Sequence, residues 1–236
     1  MDNWNGIGSL LIACVELILL INLLVFAEKN KFNIMAMLII FVLMVYQSLE
    51  FFMCQVGLDF PFMPYLAFVD IIFLPPLIIV LLARLYSYEN KFLNLIFLPA
   101  TVFIIYYTIV IDKFVVTSCT VLYATYSYPL GDLYGVFYYS PVIIATIILI
   151  KKISQKTDQK IAKISKILLF GNIIVSIPVI VGFVMMFTGN HYLIAKIESV
   201  MCKFAFFYAV CLSIAVLYNS KGKDERNNSE HIPDNK

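Results

Sequence analysis

Charged residues are scarce in this chain. Only 14% of its 236 residues are Asp, Glu, Lys or Arg, whereas 62% are apolar. Soluble domains carry about 25% charged and about 45–50% apolar residues, so this deficit of charge excludes a soluble globular protein. The mean hydropathy of +0.91 and the 20 Phe and 15 Tyr residues agree with that exclusion. The composition therefore predicts an integral membrane protein, whose apolar surface contacts the lipid bilayer.

The sequence also lacks the short motifs of common catalytic and metal sites. It contains no HExxH, GxSxG, P-loop or CxxC pattern, each of which places reactive groups at a defined spacing. The five cysteines do not have the spacing of a metal site. We therefore expect no enzyme, no catalytic residue, no metal site and no nucleic-acid partner.

Long apolar runs predict seven membrane-spanning helices. The predicted spans cover residues 6–26, 34–54, 65–84, 93–112, 136–152, 167–187 and 198–218. Most connections between them are short, which makes consecutive helices antiparallel neighbours. We expect an all-α seven-transmembrane bundle over residues 1–218 and a disordered cytoplasmic tail over residues 219–236, since the tail is polar and nearly free of apolar residues.

The distribution of basic residues predicts the orientation of the bundle. With the N-terminus outside, 14 of the 17 Lys and Arg residues lie in the cytoplasm, because only Lys113 and Lys196 lie outside and Lys203 falls within the last span. An excess of Lys and Arg in short loops marks the cytoplasmic side. We expect a multi-pass protein of the cell membrane with its N-terminus outside and its C-terminus in the cytoplasm.

One long connection, residues 113–135, lies on the predicted outer side. Its first part is rich in β-branched and aromatic residues, and a stretch of turn residues follows. This pattern fits either a hairpin that covers the bundle or an apolar loop that lies on the lipid headgroups. Cys54 and Cys119 both lie on this side, where the compartment permits a disulfide between them.

Four charged side chains fall within the predicted spans, where each costs about 2.5–3.5 kcal/mol on insertion scales. Glu50, Asp70 and Lys203 lie at similar depths near the outer ends of three helices, and Gln47 shares the helical face of Glu50. Glu16 lies nearer the middle of the first span. The candidate ligand-binding residues are Gln47, Glu50, Asp70 and Lys203, which would line a polar cavity open to the outside. The alternative is an interhelical salt bridge that fixes the packing.

Pro75 and Pro76 interrupt the third span just beyond Asp70. Proline offers no backbone N–H and its ring clashes with the carbonyl four residues earlier, so we expect a kink. The kink is either fixed or a conformational hinge that couples the outer pocket to the inner end.

The order of these motifs resembles the seven-transmembrane sensor region at the N-terminus of many prokaryotic membrane histidine kinases. The resemblance rests on Gln47-Ser-Leu-Glu50, on Pro75-Pro76-Leu77 in an apolar run that ends at Tyr86, on Phe97-Leu-Pro-Ala100 and on the run 134–139. It implies a receptor that binds a small-molecule or lipid ligand and passes a signal to a cytoplasmic output. Because no kinase sequence follows the last span, we expect a stand-alone sensor that signals through a separate partner protein.

Two other functions stay open. A small transporter or channel would move an ion or metabolite past Glu16, Glu50 and Asp70. A retinal protein would use Lys203 as its Schiff-base lysine, and Asp70 with the following Pro76 resembles the counterion helix of microbial rhodopsins. That second resemblance is weak, because Ala67 stands where those proteins carry an arginine and the sixth span lacks tryptophan.

Overall fold

The computed structural model describes residues 4–55, 61–88, 90–155, 158–187 and 191–230. Seven helical segments in this part of the chain are long and apolar enough to cross a membrane, which makes the chain a multi-pass membrane protein of the all-α class. The helices are α1 Ile7–Phe26, α2 Lys31–Gln55, α3 Phe62–Ile71, α4 Leu74–Leu85, α5 Leu98–Ile109, α6 Gly131–Ser154, α7 Gln159–Phe187 and α8 His191–Glu230. Strands β1 Val115–Cys119 and β2 Ala124–Ser127 pair antiparallel.

The predicted number of spans is confirmed, and the fifth span was predicted too short. The helix begins at Gly131 and not at residue 136. The predicted start was too late because the sequence pattern at Gly131 and Asp132 is also typical of a turn. Asp132 instead lies in the first turn of α6, where a negative charge is favourable beside the unpaired backbone N–H groups.

The third span consists of two helices, α3 and α4, separated by a turn at Ile72 and Phe73. Pro75 and Pro76 lie in the first turn of α4, where a missing N–H costs little because those groups have no partner within the helix. Eleven of the twelve residues of α4 are buried. This burial favours a fixed bend over a hinge, since motion at the turn would have to repack the core.

The last helix extends beyond the predicted span. Residues 219–230 are helical, whereas the sequence predicted disorder from residue 219 onwards. The first turn past the span is held by the Ser220 hydroxyl, which accepts from the Glu28 backbone N–H at 3.1 Å, and by the Asn219 amide, which donates to Asn33 at 3.0 Å. Residues 231–236 lie outside the described part of the chain.

The β-hairpin covers one end of the bundle, which we call the hairpin end. The Gly6 and Gly8 N–H groups donate to the carbonyls of Thr120 and Val121 at 2.8 and 2.9 Å. The structure joins Cys54 at the end of α2 to Cys119 of β1 by a disulfide, with the Cα atoms 5.5 Å apart. The hairpin suggested by the sequence is thus confirmed, and it lies over α1 and α2.

Candidate functional site

A polar network lies beneath the hairpin and joins three spans. The Lys203 ammonium on α8 pairs with the Glu50 carboxylate on α2. It also donates to Gln47 Oε1 at 2.6 Å and to Ser9 Oγ on α1 at 2.8 Å. Gln47 in turn donates to the Cys202 carbonyl at 3.1 Å. We call Ser9, Gln47, Glu50 and Lys203 the Lys203 network.

The Glu50 carboxylate connects this network to the hairpin. Its Oε1 accepts from the backbone N–H of Ala124 on β2 at 2.7 Å, and its Oε2 accepts from Ser9 Oγ at 3.2 Å. Glu50 is 0% exposed and the Lys203 side chain is 15% exposed. A buried carboxylate needs an opposite charge and hydrogen-bond donors to offset its desolvation, and Glu50 has both. The arrangement is therefore a closed ion pair that fixes the positions of α1, α2, α8 and the hairpin.

Asp70 does not join the Lys203 network. It lies at the end of α3, and its Oδ2 is buried without a hydrogen-bond partner among the described residues. Asp70 matches the depth of the network, but depth is only a position along the helix axis. Among the described residues, α3 does not pack closely against α8. Of the four candidate ligand-binding residues, the structure thus brings together Gln47, Glu50 and Lys203 and leaves Asp70 apart.

Glu16 lies deeper in the bundle, on the same face of α1 as Ser9. It is 0% exposed, and within the described residues neither of its carboxyl oxygens has a hydrogen-bond partner. The seven residues from Ser9 to Glu16 correspond to about 10 Å along the helix. A buried carboxyl group without partners is costly at membrane depth and is a functional candidate by default.

A cavity rich in tyrosine adjoins the Lys203 network under the hairpin. Its volume is about 30 Å³, which is enough to hold an ordered water molecule. Six tyrosines line it, together with Cys202 and three apolar residues. They are Tyr46, Tyr126, Tyr128, Tyr134, Tyr138 and Tyr139. The wall of this cavity is therefore built mainly from phenol side chains, which combine an aromatic ring with a hydroxyl group.

Sequence reasoning missed several members of this site. Ser9 is a small polar residue in an apolar run, which is a weak signal on its own. The Ala124 N–H is a backbone group, and no side-chain pattern reveals it. Three of the tyrosines fall in the run 134–139 that carried the family resemblance. The sequence does not predict that they meet Tyr126 and Tyr128, because that contact depends on how the hairpin folds back.

The described residues of the site do not form a metal centre. The described residues contain no group of three or more His, Cys, Asp or Glu side chains that could hold a metal ion. The three groups around the Lys203 ammonium all suit a charged amine, and a Schiff base would lose most of these hydrogen bonds. The surroundings of Lys203 therefore favour an ion pair over a retinal linkage.

Comparisons with known proteins do not assign this chain to a family. No protein-family model matches it, and neither the curated proteins nor the solved structures include a match. The interpretation of the site thus depends on its geometry.

Proposed function

We propose that this protein is a membrane sensor of the receptor type, with the hairpin as the lid of an outward-facing ligand pocket. The observation that carries the proposal is the double role of Glu50. One carboxylate oxygen holds the hairpin through Ala124, and the other holds α1 and α8 through Ser9 and Lys203. Any event that lifts the hairpin therefore disturbs three spans at once.

The tyrosine-lined cavity is the pocket in this proposal, in its closed form. A ligand that enters it must displace the hairpin, because Tyr126 and Tyr128 belong to the hairpin side of the wall. Moving β2 removes the Ala124 hydrogen bond from Glu50, and the carboxylate then depends on Lys203 and Ser9 alone. We infer that the resulting shift of α8 relative to α2 reaches the opposite end, which we place in the cytoplasm.

A separate partner protein would receive the signal at that opposite end. The loops and helix ends there carry most of the basic residues of the chain, including Lys151 and Lys152 of α6 and Lys166 of α7. α8 also contacts its neighbours there: the Asn219 carbonyl accepts from Lys160 Nζ, the Asn219 amide donates to Asn33, and the Ser220 hydroxyl accepts from the Glu28 N–H. A change in the position of α8 would therefore alter the surface offered to a partner.

Hydrogen exchange of the protein in lipid nanodiscs tests the proposed coupling. We expect Lys203→Met to raise exchange in the hairpin and also at the opposite end, in residues 91–97 and 158–166. Phe207→Ala is the matched control, because Phe207 lies one turn further along α8 and is half exposed. If the added exchange stays within the hairpin and its immediate contacts, the coupling is absent and the network is purely structural.

Isolation from the native membrane tests the partner. Crosslinking before solubilisation should join a second protein to the loops at the opposite end. Repeated recovery of an uncrosslinked monomer would contradict a sensor that signals through a separate protein.

A transporter is the second candidate, and Glu16 is the observation that favours it. This buried carboxyl group lies about 10 Å further along α1 than Ser9, and its oxygens have no hydrogen-bond partner among the described residues. Flux of H⁺, Na⁺ or K⁺ into proteoliposomes that falls in Glu16→Gln but not in Cys14→Ser would support it. Wild-type liposomes without flux of any of these ions would exclude these ions as substrates.

A further inference from the structure

A second cavity lies between α4, α5 and α6. Its volume is about 300 Å³, which is the lower end of the range for small-molecule sites. None of its lining residues is charged, and most are apolar. Apolar cavities of this kind stay dry and accept apolar molecules, so the cavity suits an uncharged, lipophilic ligand.

Prolines from three spans meet at this cavity. Pro76, Pro99 and Pro141 all line it, as do Ile72 and Phe137. Ile72, in the turn before α4, precedes Pro76 by four residues, and Phe137 of α6 precedes Pro141 by four. Neither carbonyl can therefore accept from an N–H four residues later, because proline has none. Two residues of the wall therefore carry a backbone acceptor without a helical donor. They suit a ligand with a hydroxyl or N–H donor.

The cavity opens toward the lipid. Leu95 and Phe137 line it and are 58% and 46% exposed, on the surface that faces the bilayer. α5 is the least buried of the spans, and its contacts with the bundle are concentrated at Ala100, Phe103 and Tyr107. A ligand would thus enter from the membrane, between α5 and α6, without passing the hairpin.

We propose that this cavity is a binding site for a neutral membrane-borne lipid that carries one hydroxyl donor on an unbranched hydrocarbon chain. The chain fills the apolar space, and the hydroxyl donates to the carbonyl of Ile72 or Phe137. An ionised headgroup is excluded, because no charged side chain lines the site. The site shares Tyr134 and Tyr138 with the wall of the proposed sensor pocket, but the proposal does not rest on the proposed function.

Photolabelling in phosphatidylcholine nanodiscs tests the site, with a diazirine analogue of 1-dodecanol as the probe. We expect the label on residues 95–103 and 134–141. Unlabelled 1-decanol should compete about fivefold better than decane. The alcohol can make one buried hydrogen bond that decane, which lacks the hydroxyl, cannot make. Equal competition by the two would overturn the hydroxyl contact.

Two substitutions and a matched control locate the label. Ala100→Phe fills the cavity and should lower labelling about tenfold, whereas Val102→Phe, on the lipid-facing side of the same helix, should leave it unchanged. Leu95→Trp narrows the exposed rim of the cavity and should also lower labelling. It replaces Ala100→Phe in the test if that variant does not fold. Label spread evenly over lipid-facing residues such as Val102 and Ile105, or label unaffected by both substitutions, would overturn the proposal.

Discussion

The two sides of the bundle are held together by different kinds of interaction. Beneath the hairpin, α1, α2 and α8 are joined by an ion pair, by directional hydrogen bonds and by the Cys54–Cys119 disulfide. On the other side, α5 is held mainly by aromatic rings, such as Tyr107 against Phe68 at 4.6 Å between centroids. Two polar contacts at its hairpin end add to these rings: Tyr65 with Thr108, and Tyr107 with the Pro129 carbonyl.

This difference matters because lipid tails are as apolar as leucine. Helices in a bilayer gain little from burying apolar surface, so packing and interhelical hydrogen bonds decide their association. The side with directional bonds should therefore have one well-defined arrangement and be sensitive to single substitutions. The α5 side should tolerate changes in volume, which fits a region that exchanges a lipid.

The largest effect is expected from breaking the ion pair. Lys203→Met leaves the Glu50 carboxylate buried without its counterion, and we expect a loss of about 3–5 kcal/mol in the free energy of unfolding. Steric trapping in bicelles measures this quantity. The double variant Lys203→Met with Glu50→Gln should recover most of the loss, because a neutral amide still accepts from Ala124. A single variant as stable as wild type would show that the pair contributes little.

The disulfide should have the next largest effect. Cys54→Ser removes a crosslink between residues 65 positions apart, and such crosslinks contribute about 2–4 kcal/mol. We expect the variant to have a lower thermal stability than wild type. Its gel mobility should not change on reduction, whereas the mobility of wild type should change. Cys14→Ser is the control, because Cys14 is a free, exposed cysteine. Equal stability of wild type with and without reductant would contradict the assignment.

A smaller effect should follow from separating the hairpin from α1. A Cβ at Gly8 would lie 2.9 Å from the Val121 carbonyl oxygen, so the backbone of the hairpin must move. We expect Gly8→Ala to cost about 1–3 kcal/mol. At Gly131 the nearest atom would be 3.6 Å away, so Gly131→Ala should be neutral or slightly stabilising in the helix. Thermal unfolding of both variants checks the contrast, and similar losses in the two would contradict it.

The sequence predicted the spans and the shared depth of the charged groups, because hydropathy and rise per residue act along the helix axis. It did not predict which groups meet, since that depends on the rotation of each helix about its axis. Asp70 is the clear example: its depth matched that of Glu50 and Lys203, but α3 does not pack closely against α8. The start of α6 at Gly131 was missed for a local reason, because the same residues form both turns and helix ends.

The smallest effect is expected from a substitution on the α5 side of the bundle. Ala100→Leu adds volume to the wall of a cavity of about 300 Å³, so it should change the free energy of unfolding by less than about 1 kcal/mol. Ala145→Leu is the matched change at a position of α6 that is 0% exposed, and overpacking there should cost about 1–3 kcal/mol. Steric trapping of both variants measures the difference. Equal losses would mean that α5 is as rigidly packed as the helices beneath the hairpin, and that the proposed lipid site is part of a closed core.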